Sequence, residues 1–188
     1  MRSLTFLKYA LTGVAAATLL AGCLVSEAPV LDARTGKAAP LRQGGYKVCQ
    51  PADDEGVAEC SLFAVSRGAD GAYTLAMEGE DPALMRFRKV APKAYAVQSK
   101  ESDDSYAYYF GAGDSGRFLL TMMNCKDLPP ALRAKLIADG DLATDDEDFE
   151  VCAVNTIKGL TAAARAYHRG ETTGDDPGVI TLIPAAAE

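Results

Sequence analysis

The sequence predicts an α+β fold: an antiparallel β-meander of about seven strands, forming a curved sheet or small barrel, followed by two C-terminal helices. Three observations predict it. Short runs rich in Tyr, Phe, Val and Leu start roughly every 8–12 residues between positions 45 and 123, with turn residues between them. Within several runs large apolar side chains alternate with small, polar or charged ones, the period of a strand with one buried face. Beyond Cys125 the spacing lengthens to three or four residues, the period of a helix face.

The predicted strands are 45–50, 62–67, 72–77, 84–90, 94–99, 105–110 and 117–123. Between them lie Gly68-Ala69-Asp70-Gly71, Glu78-Gly79-Glu80-Asp81-Pro82, Ala91-Pro92-Lys93, Glu101-Ser102-Asp103-Asp104 and the Gly- and Asp-containing stretch 111–116. Asp-Gly is a strong hairpin signal because both positions tolerate a left-handed backbone. Tyr73, Leu75 and Met77 share one face. Met85 and Phe87 share another, with Arg86 and Arg88 opposite. Tyr95 with Val97, and Tyr106 with Tyr108 and Phe110, repeat the pattern. Asp127 is placed to cap a first helix, Pro129 or Pro130 suits its first turn, Leu132 and Leu136 lie on one face and Gly140 ends it. A strand over 149–154 follows. Asn155 is placed to cap a second helix that aligns Ile157, Leu160, Ala164 and Tyr167 and ends at Gly170. Residues 171–177 form a polar loop and 179–183 a last strand.

The N-terminus has a different character. Arg2 and Lys8 are the charges of the first 22 residues, and 10–21 is a short apolar run. Such a run is too short for a membrane span, which needs roughly 20 residues, and has the layout of a secretory leader. It ends in Leu20-Ala21-Gly22-Cys23, which resembles the lipobox of bacterial lipoproteins. The resemblance covers the first 23 residues. It implies cleavage before Cys23, a diacylglycerol on the Cys23 sulfur and an acylated N-terminus. More than one acyl chain anchors stably where a single chain does so only marginally. By the family's sorting convention, Leu24 rather than Asp after the cysteine implies the outer membrane. The expected organisation is a cleaved signal peptide over 1–22, a lipidated N-terminus and tether over 23–44, whose first part could instead fold back as an edge strand, and one β-rich periplasmic domain with C-terminal helices over 45–188.

Charge and cysteine count narrow the function classes. The 188-residue chain carries 26 acids against 19 bases, a formal charge of −7 that becomes −9 without the two bases of the leader. That excludes a nucleic-acid binder, which needs a basic footprint. It also leaves membrane attachment to the acyl chains on Cys23. Setting Cys23 aside, Cys49, Cys60, Cys125 and Cys152 remain, an even number suited to an oxidising compartment. Four cysteines allow three pairings. Cys49–Cys60 and Cys125–Cys152 are favoured because each pair brackets one local loop. Metal is not expected: no pair has C-x₂-C spacing and His168 is the one histidine.

Three stretches resemble chemical motifs. Gly113-Asp114-Ser115-Gly116 resembles the nucleophile motif of chymotrypsin-like serine proteases, but no histidine precedes Ser115 and these residues suit a hairpin turn. The loop 139–150 has the length of an EF-hand, with Asp139, Asp141 and Glu150 at ligand positions, yet it departs at Ala143 and Thr144 and is expected to be a solvated acidic loop. His168 sits near a helix end, where it complements the terminal partial negative charge. Acidic pairs at 53–55, 103–104 and 175–176 fall in loops. The expectation is therefore an envelope lipoprotein, not an enzyme, with no cofactor. It serves as a structural or protein-interaction module with an envelope protein as partner; a binder of a small apolar ligand or lipid is the alternative. A filled or hollow β-domain interior separates the two.

Overall fold

The computed structural model describes residues 23–49, 60–102, 105–144, 151–174 and 178–185. The leader 1–22, the acidic pairs at 53–55, 103–104 and 175–176, and Phe149 and Glu150 lie outside the described residues.

The elements in chain order are β1 (Leu24–Ser26), β2 (Gly44–Cys49), β3 (Cys60–Arg67), β4 (Tyr73–Ala76), β5 (Ala83–Ala91), β6 (Ala94–Ser102), β7 (Ser105–Asp114), β8 (Arg117–Met122), α1 (Pro130–Ala138), β9 (Leu142–Ala143), β10 (Cys152–Val154), α2 (Ile157–His168) and β11 (Val179–Pro184). Strands β2 to β8 pair antiparallel with their sequence neighbours, and β11 fits antiparallel between β2 and β8. Eight strands thus close a ring. Of the two architectures the sequence allows, the closed barrel is the one formed. Closure leaves these strands without the row of unpaired backbone groups that an edge exposes.

Alternation along each strand decides which side chains fill the barrel. Tyr73, Leu75, Phe87, Val97, Tyr109, Phe118, Leu120 and Leu182 are among those buried inside. Phe87 stands edge-on to both Tyr73 (5.2 Å between centroids) and Phe118 (5.7 Å), so three rings occupy the waist. An eight-stranded barrel has little more room than this. Gly111 on β7 makes that packing possible. A Cβ there would lie 2.7 Å from the Phe118 ring and 2.9 Å from a Val97 methyl.

A second layer covers the outer face of β6 and β7. Leu24, Leu31, Ala96, Tyr108, Leu136, Leu160, Ala163 and Ala164 form one buried cluster with both helices. Tyr106, Tyr108 and Phe110, the face that the sequence pattern marks as large and apolar, point into this layer and not into the barrel. Phe110 stacks on Tyr167 of α2 (6.2 Å), while Ala107, Tyr109 and Gly111 take the inner side.

The segment expected mostly as a tether over 23–44 is packed against the barrel, and its first part folds back as a strand, the alternative the sequence allowed. β1 pairs antiparallel with β7 and parallel with β10. Leu24 and Leu31 are fully buried, and Leu41 nearly so. The side chain of Gln98, itself 4% exposed, acts as a short strand: its Oε1 accepts the N–H groups of Val30 (2.8 Å) and Leu31 (2.7 Å), and its Nε2 donates to the Leu31 carbonyl (3.2 Å). Ala38 donates its N–H to the Phe87 carbonyl at 2.9 Å. The three buried leucines contribute about 1.5–3 kcal/mol each toward ordering the segment, and the Gln98 and Ala38 hydrogen bonds add to them.

The helix caps also move from the expected residues. Thr156, not Asn155, caps α2, its hydroxyl accepting from the Gly159 N–H at 3.1 Å. Helix α1 starts after Pro129 without a side-chain cap. Asp127 turns inward, where its carboxylate accepts from Asn124 Nδ2 (2.9 Å) and the Tyr167 hydroxyl (3.4 Å). Gly140 and Gly170, at positive φ, do follow the two helices.

The Gly111 contact is directly testable. Gly111→Ala forces Phe118 or β7 to shift and is expected to destabilise the domain by about 1–3 kcal/mol. Urea unfolding followed by tyrosine fluorescence measures it; an unchanged midpoint would refute the close packing.

Candidate functional site

Two ends of the barrel and the sulfur of Cys23 hold the residues from which function can be argued. β8 runs from Arg117 at one end to Met122 at the other, about 17 Å at 3.4 Å per residue. Cys23 lies at the Met122 end. It bridges to Asn124, its carbonyl accepts the Cys152 N–H at 3.3 Å, and the Leu24 N–H donates to the Met123 carbonyl at 2.8 Å. Its side chain is 1% exposed and its thiol approaches Met122 Sδ at 2.9 Å. Burial pushes the thiol pKa up, and the Glu101 carboxylate adds to the effect. Tyr109 is raised for the same two reasons, with Cys23 a further contributor. A thioether substituent on a sulfur this buried requires Cys23 to leave its place beside Met122.

At this lower end a cavity of about 190 Å³ opens between Phe63, Met85, Leu120 and Ile180, with Ser99 and Glu101 as its polar members. The opposite, upper end holds a wider depression of about 390 Å³, lined by Tyr46, Tyr95 and Phe118 below and by Arg42, Lys93 and Arg117 at the rim. The aromatic waist lies between the two.

The disulfides brace both layers. Cys49 and Cys60 are bonded where β2 and β3 pair, with Cα atoms 4.0 Å apart. Cys125 and Cys152 are bonded, with Cα atoms 5.7 Å apart, and tie the chain after β8 to β10.

Ser115 and His168 do not meet. His168 lies against Phe110, 6.4 Å between ring centroids, on the outer face of β7. Ser115 is five positions further along, about 17 Å at strand spacing. It sits in the β7–β8 hairpin turn with φ +45°, and its hydroxyl donates to the Asp114 carboxylate at 2.9 Å.

In the acidic loop, Asp139 and Asp141 face lysines. Asp139 accepts from Lys135 (2.8 Å) and Lys158 (2.9 Å). Asp141 accepts the Thr156 hydroxyl at 2.6 Å and approaches Lys158 Nζ at 2.7 Å. The Lys135 hydrogen bond, with that of Lys158, holds Asp139 below the usual carboxylate value; Lys158, with Thr156, does the same for Asp141. These carboxylates act as a clasp between the α1 end and the start of α2. The tight approach of Gly159, where a Cβ would stand 2.7 Å from the Asp141 carbonyl, belongs to the same joint. Among the described residues no group of three or more His, Cys, Asp or Glu is placed to hold a metal.

Arg42, Lys93 and Arg117 escape sequence reasoning, because 75 positions separate the first from the last and only barrel closure assembles them. One signal was available: Lys93 follows Pro92 at a turn position that favours glycine. The chain matches no family model, no curated protein and no solved structure.

Two measurements test this geometry. In the unacylated chain, iodoacetamide at pH 8 is expected to spare Cys23 while the protein is folded and to modify it in denaturant; rapid labelling of the folded chain would contradict its burial. The lysine clasp predicts an acid limb. A carboxyl held below its ordinary 3.8 stabilises the fold above that pH and loses the effect as pH falls through the folded-state value. Lys158→Met should therefore flatten the drop in Tm between pH 5 and pH 2; an unchanged drop means the clasp contributes nothing.

Proposed function

We propose that the chain is a lipid-anchored protein of the bacterial envelope, attached through acyl chains on Cys23, whose barrel works as a protein-interaction module. The observation that supports a module over a carrier is the filled waist. Tyr73, Phe87 and Phe118 occupy the middle of the barrel, so binding has to take place at the ends or on the outside. The anchor reading draws on the lipobox and on the distribution of exposed apolar groups. Leu62 (70% exposed) and Leu84 (41% exposed) lie on β3 and β5 at the Cys23 end. That end would face the outer membrane, and the Arg117 end would face the periplasm.

The alternative, a binder of a small apolar ligand, has the lower cavity in its favour. At about 190 Å³ it falls below the roughly 300–1,000 Å³ of most small-molecule sites. A ligand carried there would appear as an added mass in native mass spectrometry of the purified chain.

The anchor is tested by phase partitioning. Wild-type protein made in a bacterial host should enter the detergent phase of Triton X-114, and Cys23→Ser, which offers no sulfur for a thioether, should stay in the aqueous phase. Equal partitioning of the two would refute the anchor. In-cell crosslinking should trap a discrete protein adduct with the barrel; none at any barrel position would refute the module.

A further inference from the structure

The upper mouth of the barrel carries a charge opposite to that of the chain. Arg42, Lys93 and Arg117 stand around it, and Asp114 is the one carboxylate among its lining residues. Asp114 is committed to Arg117 at 3.1 Å and to the Ser115 hydroxyl at 2.9 Å. Arg42 and Lys93 have no carboxylate within 4.0 Å among the described residues. Three cations therefore face one depression against one carboxylate, Asp114, on which the Lys93 charge also acts, on a chain of formal charge −7. The lower end is the reverse. Among the described residues, Glu78, Glu80, Asp81 and Glu101 flank it.

The cations are held on a stiff rim. Lys93 takes φ +57° in the β5–β6 turn, a conformation that disfavours any side chain, and its carbonyl accepts the Gly113 N–H of β7 at 2.9 Å. A lysine at this position presents an ammonium at the mouth where glycine would suit the backbone better. The Arg42 N–H donates to the Tyr46 hydroxyl at 3.1 Å, which fixes the backbone of Arg42 above an aromatic floor. That floor comprises Tyr46, Tyr95 and Phe118, with Tyr95 and Phe118 5.8 Å apart. The cavity of about 390 Å³ lies within the usual range for a small-molecule site.

We propose that the upper mouth binds a phosphate monoester carried on a flat ring: Arg42 and Lys93 take the phosphate, and the aromatic floor takes the ring. A phosphate monoester carries about −1.5 to −2 charge at neutral pH, which matches the excess of three cations over one carboxylate at the mouth. Guanidinium and ammonium groups bind its oxygens by charge-assisted hydrogen bonds. The inference gives the interaction module a partner chemistry. It depends on the envelope reading only for where that partner is met, because the mouth lies at the end of the barrel away from Cys23.

Isothermal titration of the full mature chain in detergent micelles tests it, with phenyl phosphate as probe and benzoate and inorganic phosphate as comparisons. Phenyl phosphate should bind one to one with a submillimolar Kd, at least tenfold more tightly than either comparison. Arg42→Gln and Lys93→Gln should each weaken it fivefold or more while keeping the wild-type Tm. Absence of saturable binding, benzoate binding as tightly, or equal affinity in both variants would overturn the proposal. Co-sedimentation of the Cys23→Ser chain with phosphatidic acid vesicles, whose phosphate carries no ring, together with inorganic phosphate binding as tightly as phenyl phosphate, would overturn the role of the aromatic floor. Phenyl phosphate binding without co-sedimentation would support a soluble, ring-bearing ester as the ligand. If Cys23→Ser leaves detergent partitioning unchanged, the anchor reading fails and the titration result is untouched.

Discussion

Strand β7 carries apolar side chains on both faces, and the two layers of the molecule follow from that alternation. Its inward residues, Ala107, Tyr109 and Gly111, admit the Phe118 ring and complete the barrel interior. Its outward residues, Tyr106, Tyr108 and Phe110, are too large and apolar to face water, so they require a cover. Helix α2 and the segment after Cys23 supply it. β7 also pairs with three strands, β6 and β8 along the ring and β1 beyond the end of β8. One strand thus sets the register of the ring and the seat of the outer layer. This explains why the chain needs both the sequence before β2 and the helices after β8 to hide a single surface.

The parts legible in the sequence were those whose signal is local. Period-2 alternation placed β2 to β8 within a few residues, and glycines at positions 140 and 170 marked the helix ends. What escaped depends on partners far along the chain. Leu24, Leu31 and Leu41 show no period of their own. They are buried because Met123, Gln98 and Tyr73 come to meet them, as in the Tyr73 hydroxyl that donates to the Leu41 carbonyl at 2.9 Å. The face of Phe110 was visible as a stripe, but a stripe does not say on which side of the sheet the helices will fall. Asp127 looked like a cap because of its position; its partners, Asn124 and Tyr167, lie 3 and 40 residues away. At the level of sites, the cysteines stood out in the sequence, whereas the cationic mouth exists only in the closed ring.

Charge is sorted along the barrel axis. Among the described residues, the β4–β5 connection at one end carries Glu78, Glu80 and Asp81, and the rim at the other holds Arg42, Lys93 and Arg117. Charges at opposite ends of an object about 17 Å long are further apart than a Debye length of roughly 8 Å at physiological ionic strength. Each end therefore meets its surroundings almost independently. An anionic surface would repel the Cys23 end and attract the other, so acyl chains at Cys23 would have to hold the barrel in an orientation that electrostatics alone would invert.

The place of β11 in the ring has a kinetic consequence. It comes last among the described strands, yet it sits between β2 and β8, whose residues precede it by more than 50 positions. Such long-range pairing raises contact order and slows folding. Until residues 179–184 arrive, β2 and β8 each present an open edge able to pair with another chain. Chains emerging N-terminus first stay in that vulnerable state until residues 179–184 have been made, so their yield should depend on how quickly β11 is delivered and on what shields the two edges meanwhile.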